Sequence, residues 1–363
     1  MKKVRILSID GGGIRGVIPA VIISYIEKKL IELSKNPNAR IADYFDMIVG
    51  TSTGGILTCF YLTPNSNQNG PSAKYTAEQA LEFYSKYGYS IFNKSKRRQW
   101  FGLRQLRNAT QYSSKTLEKI LLERFGDLKM HQLLQKTLIT SYCMGASING
   151  KNSRGKSAVF FNSFDNPTER DFYVRDVVRS TSAAPTYFSP AKIENLANGE
   201  RMTNIDGGVF ANNPSMCAYS EARSTKFKTQ SSPKASGMLL LSIGTGGGQF
   251  SLPPVKTSKT WNILKWAKSI PEIMMDGSID TVNHQMLNLF ATLEKEHQLN
   301  YKRIDVAKED RNYSADMADA SPANIQKLKK AGEITLTKSF QATNDALGLD
   351  NFIQLLIDNN PSN

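Results

Sequence analysis

The chain has 363 residues, 40% hydrophobic and 21% charged, a balance that fits a globular core and excludes a disordered or fibrous chain. Its 46 Lys and Arg against 32 Asp and Glu leave a net charge of +14, which favours anionic surfaces such as phospholipid head groups or nucleic acid. Three scattered cysteines, Cys59, Cys143 and Cys217, form no C-x-x-C pair, which argues against a disulfide frame or thiolate zinc site and suits a reducing cytoplasm. No apolar stretch reaches the length of a membrane span, so membrane contact is expected to be peripheral.

In chain order, Val4-Arg5-Ile6-Leu7-Ser8-Ile9 predicts a buried strand. Gly11-Gly12-Gly13 then turns it into a helix over 17–33, where Ile18, Val21, Ile22, Tyr25, Ile26 and Leu30 keep helical spacing. A second strand over 44–49 meets Gly50-Thr51-Ser52-Thr53-Gly54-Gly55 and a helix from about 55 to 62 that stops before Pro64. Residues 63–75 read as a polar surface loop, and helices are expected over 76–92 and 113–136. Between those helices the most basic stretch, 93–112, carries Trp100 and Phe101 and reads either as a lid or membrane-facing segment or as a solvated loop.

Further strands are expected at 138–146 and 158–164, a helix at 171–182, and a strand at 237–243 ending in Gly244-Thr245-Gly246-Gly247-Gly248. Helices and polar loops fill about 292–357. Strands alternating with helices predict an α/β fold with a mainly parallel central sheet covered on both faces, its ligand loops at the carboxyl ends of the strands. No repeat or linker interrupts it, so one domain over 1–363 is expected, with a core of about 4–290 and a C-terminal helical part of about 291–357.

Three glycine motifs compete for a role. Gly11-Gly12-Gly13-Ile14-Arg15-Gly16 fits the G-x-G-x-x-G dinucleotide turn, but the second strand ends in Gly50-Thr51-Ser52 instead of the required acidic residue. Residues 150–157 fit G-x-x-x-x-G-K-[ST], yet an aromatic, strand-like run follows where a phosphate loop needs a helix, so a basic hairpin loop is expected. Gly50-Thr51-Ser52-Thr53-Gly54 fits G-x-S-x-G, and its setting between strand and helix suits a sharp bend that exposes a nucleophilic hydroxyl.

A serine nucleophile needs a base. His131, His284 and His297, the three histidines, all fall in polar or helical surroundings away from strand ends and glycine turns, and read as surface or packing residues. Asp206 instead closes a short extended segment before Gly207-Gly208, where either an ordinary turn or a catalytic carboxylate fits. Hydrogen-bonded to Ser52 and partly desolvated, it would take the serine proton and return it to the leaving alcohol. Gly11, Gly12 and Gly13 would supply backbone N–H groups for the oxyanion, and Arg15 adds an auxiliary cation or pairs with a structural carboxylate.

Asp10-Gly11-Gly12-Gly13-Ile14-Arg15-Gly16, the Ser52 elbow and Asp206-Gly207-Gly208, taken in that order, resemble the patatin-like phospholipase family. Tyr44-Phe45-Asp46, the run from Ser182 to Phe188, Asn212-Asn213-Pro214, the segment from Leu241 to Gly246 and Met317-Ala318-Asp319-Ala320-Ser321 extend the likeness over nearly the whole chain. The resemblance implies a three-layer α/β/α fold related to the α/β-hydrolases. It also implies hydrolysis of acyl esters of phospholipids, lysophospholipids or galactolipids by a serine-aspartate dyad, with no cofactor or metal and without calcium. On this sequence Ser52 takes the nucleophile's place, Asp206 the base's, and Gly11, Gly12 and Gly13 the oxyanion loop's.

Expected partners are a phospholipid or lysophospholipid substrate and the inner face of a membrane, reached from the cytoplasm, with no nucleic-acid polymer. Some bacterial members of the family are switched on by cyclic dinucleotides in antiviral defence, so such an activator is a further expectation. A nucleotide-binding regulatory module built on the glycine loops, and a catalytically silent lipid-binding protein, are the competing readings.

Overall fold

The structure is a computed structural model that describes residues 2–66, 70–92, 110–247, 263–341 and 348–360. The expected lid or membrane-facing segment falls almost wholly outside the described residues.

Among the described residues nine strands share one sheet: β1 (Val4–Ile9), β2 (Met47–Thr51), β3 (Lys136–Ile148), β4 (Lys151–Arg154), β5 (Ser157–Asn162), β6 (Ala191–Glu194), β7 (Arg201–Asp206), β8 (Met238–Ile243) and β9 (Tyr301–Ile304). Their order is β6-β7-β3-β2-β1-β8-β9, with β4 and β5 also paired to β3. The contiguous strands β3-β2-β1-β8-β9 are parallel, and β4, β5 and β7 run antiparallel to β3 as a wing. The fold is thus an α/β fold with a mixed sheet, and the expected parallel character holds in its centre.

Alternation along the strands explains the layering. Leu7 and Ile9 of β1, with Leu239, Leu241 and Ile243 of β8, face one cluster. Val4 and Ile6, with Met238 and Leu240, face the other. Helices α1 (Val17–Ser34), α2 (Thr53–Leu62), α3 (Ala77–Ile91), α4 (Ser114–Phe125) and α5 (Val174–Thr181) cover the first face. Helix α6 (Ser215–Ala222) and the long α7 (Ile263–Ala291) cover the second. Helices α8 (Pro322–Ser339) and α9 (Leu349–Asp358) return to pack on α1.

Two sequence expectations change and one is met. The helix expected over 113–136 stops at Phe125, because Gly126 takes φ 51 as its C-cap and the chain turns towards β3. The 150–157 motif lies at the exposed end of a hairpin, as expected: after a turn at Asn149-Gly150 the fully exposed β4 and then β5 pair back along β3, so no helix stands behind it to hold a phosphate. The C-terminal part contributes β9, parallel to β8, as well as helices; four residues with Lys302 and Arg303 among them show too little apolar alternation to be read as a strand. Among the described residues no helix is long and apolar enough to cross a membrane.

Helix α2 starts hard against β1: a Cβ built at Gly54 would lie 2.1 Å from the Ile9 carbonyl oxygen, a backbone atom that cannot give way. Gly54→Ala is therefore predicted to lower the melting temperature by several degrees and to abolish ester hydrolysis by displacing the helix start. Melting and turnover at wild-type values would contradict this packing.

Candidate active site

Four chain segments meet at the carboxyl end of the parallel strands: the loops after β1, β2 and β8, and the end of β7. Ser52 sits between β2 and α2 with φ 53 and ψ −119, a backbone state that L-residues rarely hold without support. The support is visible on both sides. The Ser52 N–H donates to Thr181 Oγ1 at 2.8 Å, and its carbonyl accepts the Ile56 N–H at 3.1 Å. Thr51 Oγ1 anchors the preceding residue by donating to the Ala211 carbonyl at 2.6 Å. The N-terminus of α2 therefore lies directly behind the serine, where it favours negative charge.

Asp206 ends β7, paired with Ser141 of β3, and its N–H donates to the Ala183 carbonyl at 3.0 Å. The last turn of α5 and the residues after it thus hold both side chains, Thr181 the elbow and Ala183 the carboxylate. Asp206 is only 2% exposed. Burial pushes its pKa up to about 7, against a smaller downward pull from the Ser52 hydroxyl and the Gly208 N–H. That N–H reaches Oδ1 at 2.7 Å, whereas Oδ2 takes no full hydrogen bond among the described residues. A carboxylate so placed has a lone pair in reserve for the serine proton, and such contacts tighten when substrate enters.

The glycine loop divides its work. Gly11 N–H is engaged with the Asn212 carbonyl at 3.0 Å, so its amide is not free for an oxyanion, contrary to the role expected of it. Its carbonyl accepts from Thr245 Oγ1 at 2.6 Å and from Asn212 Nδ2 at 3.3 Å. The Gly12 and Gly13 amides have no hydrogen-bond acceptor among the described residues. Gly13, at φ 60, lines the same cavity as Ser52 and Asp206, and a Cβ there would lie 2.4 Å from the Met317 carbonyl oxygen. This close internal packing also weighs against the loop as a nucleotide cradle.

Arg15 is buried, and it acts electrostatically on Glu272 and Asp276 of α7, pulling both carboxyls down against the upward push of burial. It is not among the residues lining the cavity with Ser52. The histidines stand apart too: His131 Nδ1 lies 2.9 Å from Asp171 Oδ2, His284 contacts Asn288, and His297 meets Glu296 at 3.2 Å.

Ser52 and Asp206 line one narrow cavity, whose non-atom space reaches about 590 Å³ only when the open solvent at its mouth is counted. Its walls are mostly apolar, Ile56, Phe83, Ile91, Phe92, Leu117 and Phe188 among them, with the hydroxyls of Thr53, Tyr84, Ser182 and Tyr187 belonging to the lining residues as well. Such a site can hold an alkyl chain with a polar group at one end. Sequence reading had set apart the run from Ser182 to Phe188 without a task for it. Asn212 and Thr245 likewise lay in segments that the resemblance had singled out without a task, whereas Thr181 was missed because a single hydroxyl at a helix end leaves no motif.

The chain matches the patatin-like phospholipase family model over residues 7–219. Patatin-17 of Solanum cardiophyllum is 34% identical over 372 residues, covering 98% of this chain and 90% of that protein. The protein named Probable inactive patatin-3-Kuras 1 of Solanum tuberosum is 34% identical over 371 residues, covering 98% and 93%. Among solved structures, VipD from Legionella pneumophila matches at 12% identity and a TM-score of 0.33, covering 99% of this chain and 74% of that one, too remote a likeness to carry weight. On the family model and these relatives, the chain belongs to the patatin-like phospholipase family and is a carboxylic ester hydrolase of the lipid acyl hydrolase kind.

Proposed function

We propose that the enzyme cleaves fatty acyl esters of phospholipids or lysophospholipids at a membrane surface through an acyl-Ser52 intermediate. One observation supports this above the rest: an elbow serine and a buried carboxyl with its pKa raised to about 7 line one mostly apolar cavity. An aspartate with a pKa of 3.8 would be a poor base at neutral pH, and desolvation is what makes Asp206 a useful one.

In the first half-reaction Ser52 Oγ bonds to the ester carbonyl carbon while its proton passes to Asp206. The carbonyl oxygen becomes an oxyanion, to which the Gly12 and Gly13 amides donate. Collapse breaks the ester C–O bond, and Asp206 returns the proton to the departing alkoxide, releasing the alcohol or lysolipid. In the second half, water attacks the acyl carbon and gives a proton to Asp206. Fatty acid leaves and Ser52 recovers its hydrogen. The apolar wall from Ile56 to Leu117 holds the acyl chain, and the net charge of +14 favours approach to an anionic lipid surface.

Ser52→Ala is predicted to reduce fatty acid release from a mixed phospholipid extract by at least about 1000-fold, read by mass spectrometry of products, with the melting temperature not lowered. Undiminished release would reject Ser52 as nucleophile. The same assay with and without cyclic dinucleotides tests the activator expected from the family, which here has only the positive charge of the chain in its favour.

Burial of Asp206 also has a sign in stability. Its pKa in the folded chain, about 7, lies above the ordinary 3.8, so unfolding eases its ionisation and this group lowers stability as pH rises from about 4 to 7. Asp206→Asn is therefore expected to raise the melting temperature more at pH 8 than at pH 5, while abolishing turnover. An equal change at both pH values would contradict the raised pKa.

A further inference from the structure

The oxyanion loop leaves β1 at Asp10, and that residue is wholly buried. Both of its carboxylate oxygens are taken by one guanidinium: Arg303 Nη1 donates to Oδ1 at 2.9 Å and Nη2 to Oδ2 at 2.6 Å. Arg303 belongs to β9, so it reaches across β8 to hold the end of β1. On the way Nη1 donates to Ser242 Oγ of β8 at 2.8 Å. Burial outweighs the downward pull of the guanidinium and leaves the Asp10 pKa raised to about 6.

The same guanidinium grips a second loop. Nη2 also donates to Asp305 Oδ2 at 2.6 Å. Asp305 Oδ1 in turn accepts the Gly246 N–H at 2.8 Å and the Val306 N–H at 2.9 Å, which fixes the chain after β8. From that chain the Thr245 hydroxyl donates to the Gly11 carbonyl at 2.6 Å. Two successive residues of the glycine loop, Asp10 and Gly11, are thus tied to Arg303 by two routes. Neither route touches the cavity.

We propose that Arg303 is a positioning residue for ester hydrolysis, which through Asp10 on one side and Asp305 and Thr245 on the other sets the Gly12 and Gly13 amides where the oxyanion forms. This rests on the reading of Ser52 given above. A buried ion pair adds little stability compared with apolar residues of similar size, so its planar, two-point geometry is the better account of its presence. Oxyanion donors act only when held in place before the charge develops, and a displacement of about 1 Å lowers rate by about 100-fold. Arginine suits this task because its fork fixes direction as well as distance, which a lysine ammonium does not.

The test compares wild type, Arg303→Lys and Thr245→Val on a nitrophenyl ester and on its thionoester, whose sulfur is a weaker acceptor for the same amides. Expected are a fall in kcat of about 10- to 100-fold for each variant, KM within about threefold of wild type, and a smaller fall on the thionoester. Thr245→Val removes one hydroxyl and no charge, so it decides the matter alone if Arg303→Lys does not fold. Wild-type kcat in folded Thr245→Val or folded Arg303→Lys, equal falls on both esters, or a change confined to KM would overturn the proposal. If wild type and Ser52→Ala hydrolyse the ester alike, the reading of Ser52 fails instead, and the two failures are told apart.

Discussion

A carboxylate shielded from water beside a serine hydroxyl is the constraint on which the other features of this site depend. In water an aspartate holds its proton too weakly to draw one from an alcohol at neutral pH. In the proposed role Asp206 escapes that limit because β7 ends inside the protein, where burial raises its pKa to about 7 within a mostly apolar cavity. The same burial leaves Oδ2 without a full hydrogen bond among the described residues. Basicity and stability are therefore opposed here, as they often are where a fold holds a reactive group.

The scaffold answers this with short-range contacts from rigid elements. Helix α5 ends at Thr181, which accepts the Ser52 N–H, and two residues later Ala183 accepts the Asp206 N–H. Ser52 and Asp206, the proposed nucleophile and base, are consequently referenced to one piece of chain, although 154 positions (206 − 52) separate them in sequence. The strained φ of Ser52 persists because Thr181 on one side and the first turn of α2 on the other over-determine it. Behind the glycine loop, Arg303 extends the same rigidity from the far edge of the parallel strands.

Legibility in the sequence followed the range of the interactions. The Ser52 elbow and the triple glycine could be read because a strand, a tight turn and a helix leave their marks within about ten residues of each other. From its own residues Asp206 read as either a turn or a base, and the resemblance alone gave it the base's place, since nothing local records that β7 ends in a mostly apolar cavity. The engagement of Gly11 by Asn212 could not be read, because which amide of a glycine run stays free depends on a partner about 200 residues away. Strand β9 and Arg303 were hidden for a related reason: a four-residue edge strand with two cations carries no apolar period, and its role appears only once the sheet has brought it near Asp10.

Kinship and geometry support different parts of the account. Family membership carries the general chemistry of lipid acyl hydrolysis, yet one relative of equal identity bears the name of an inactive protein, so the assignment of roles rests on the residues themselves. The most direct measurement is the rate at which a fluorophosphonate probe modifies Ser52 across pH 5 to 9, in wild type and in Asp206→Asn. The account predicts a wild-type rate that climbs as Asp206 ionises, with a midpoint near its pKa of about 7, and a slow rate without that step in the variant. A wild-type rate that does not change through this range, or a variant labelled as fast as wild type, would contradict it.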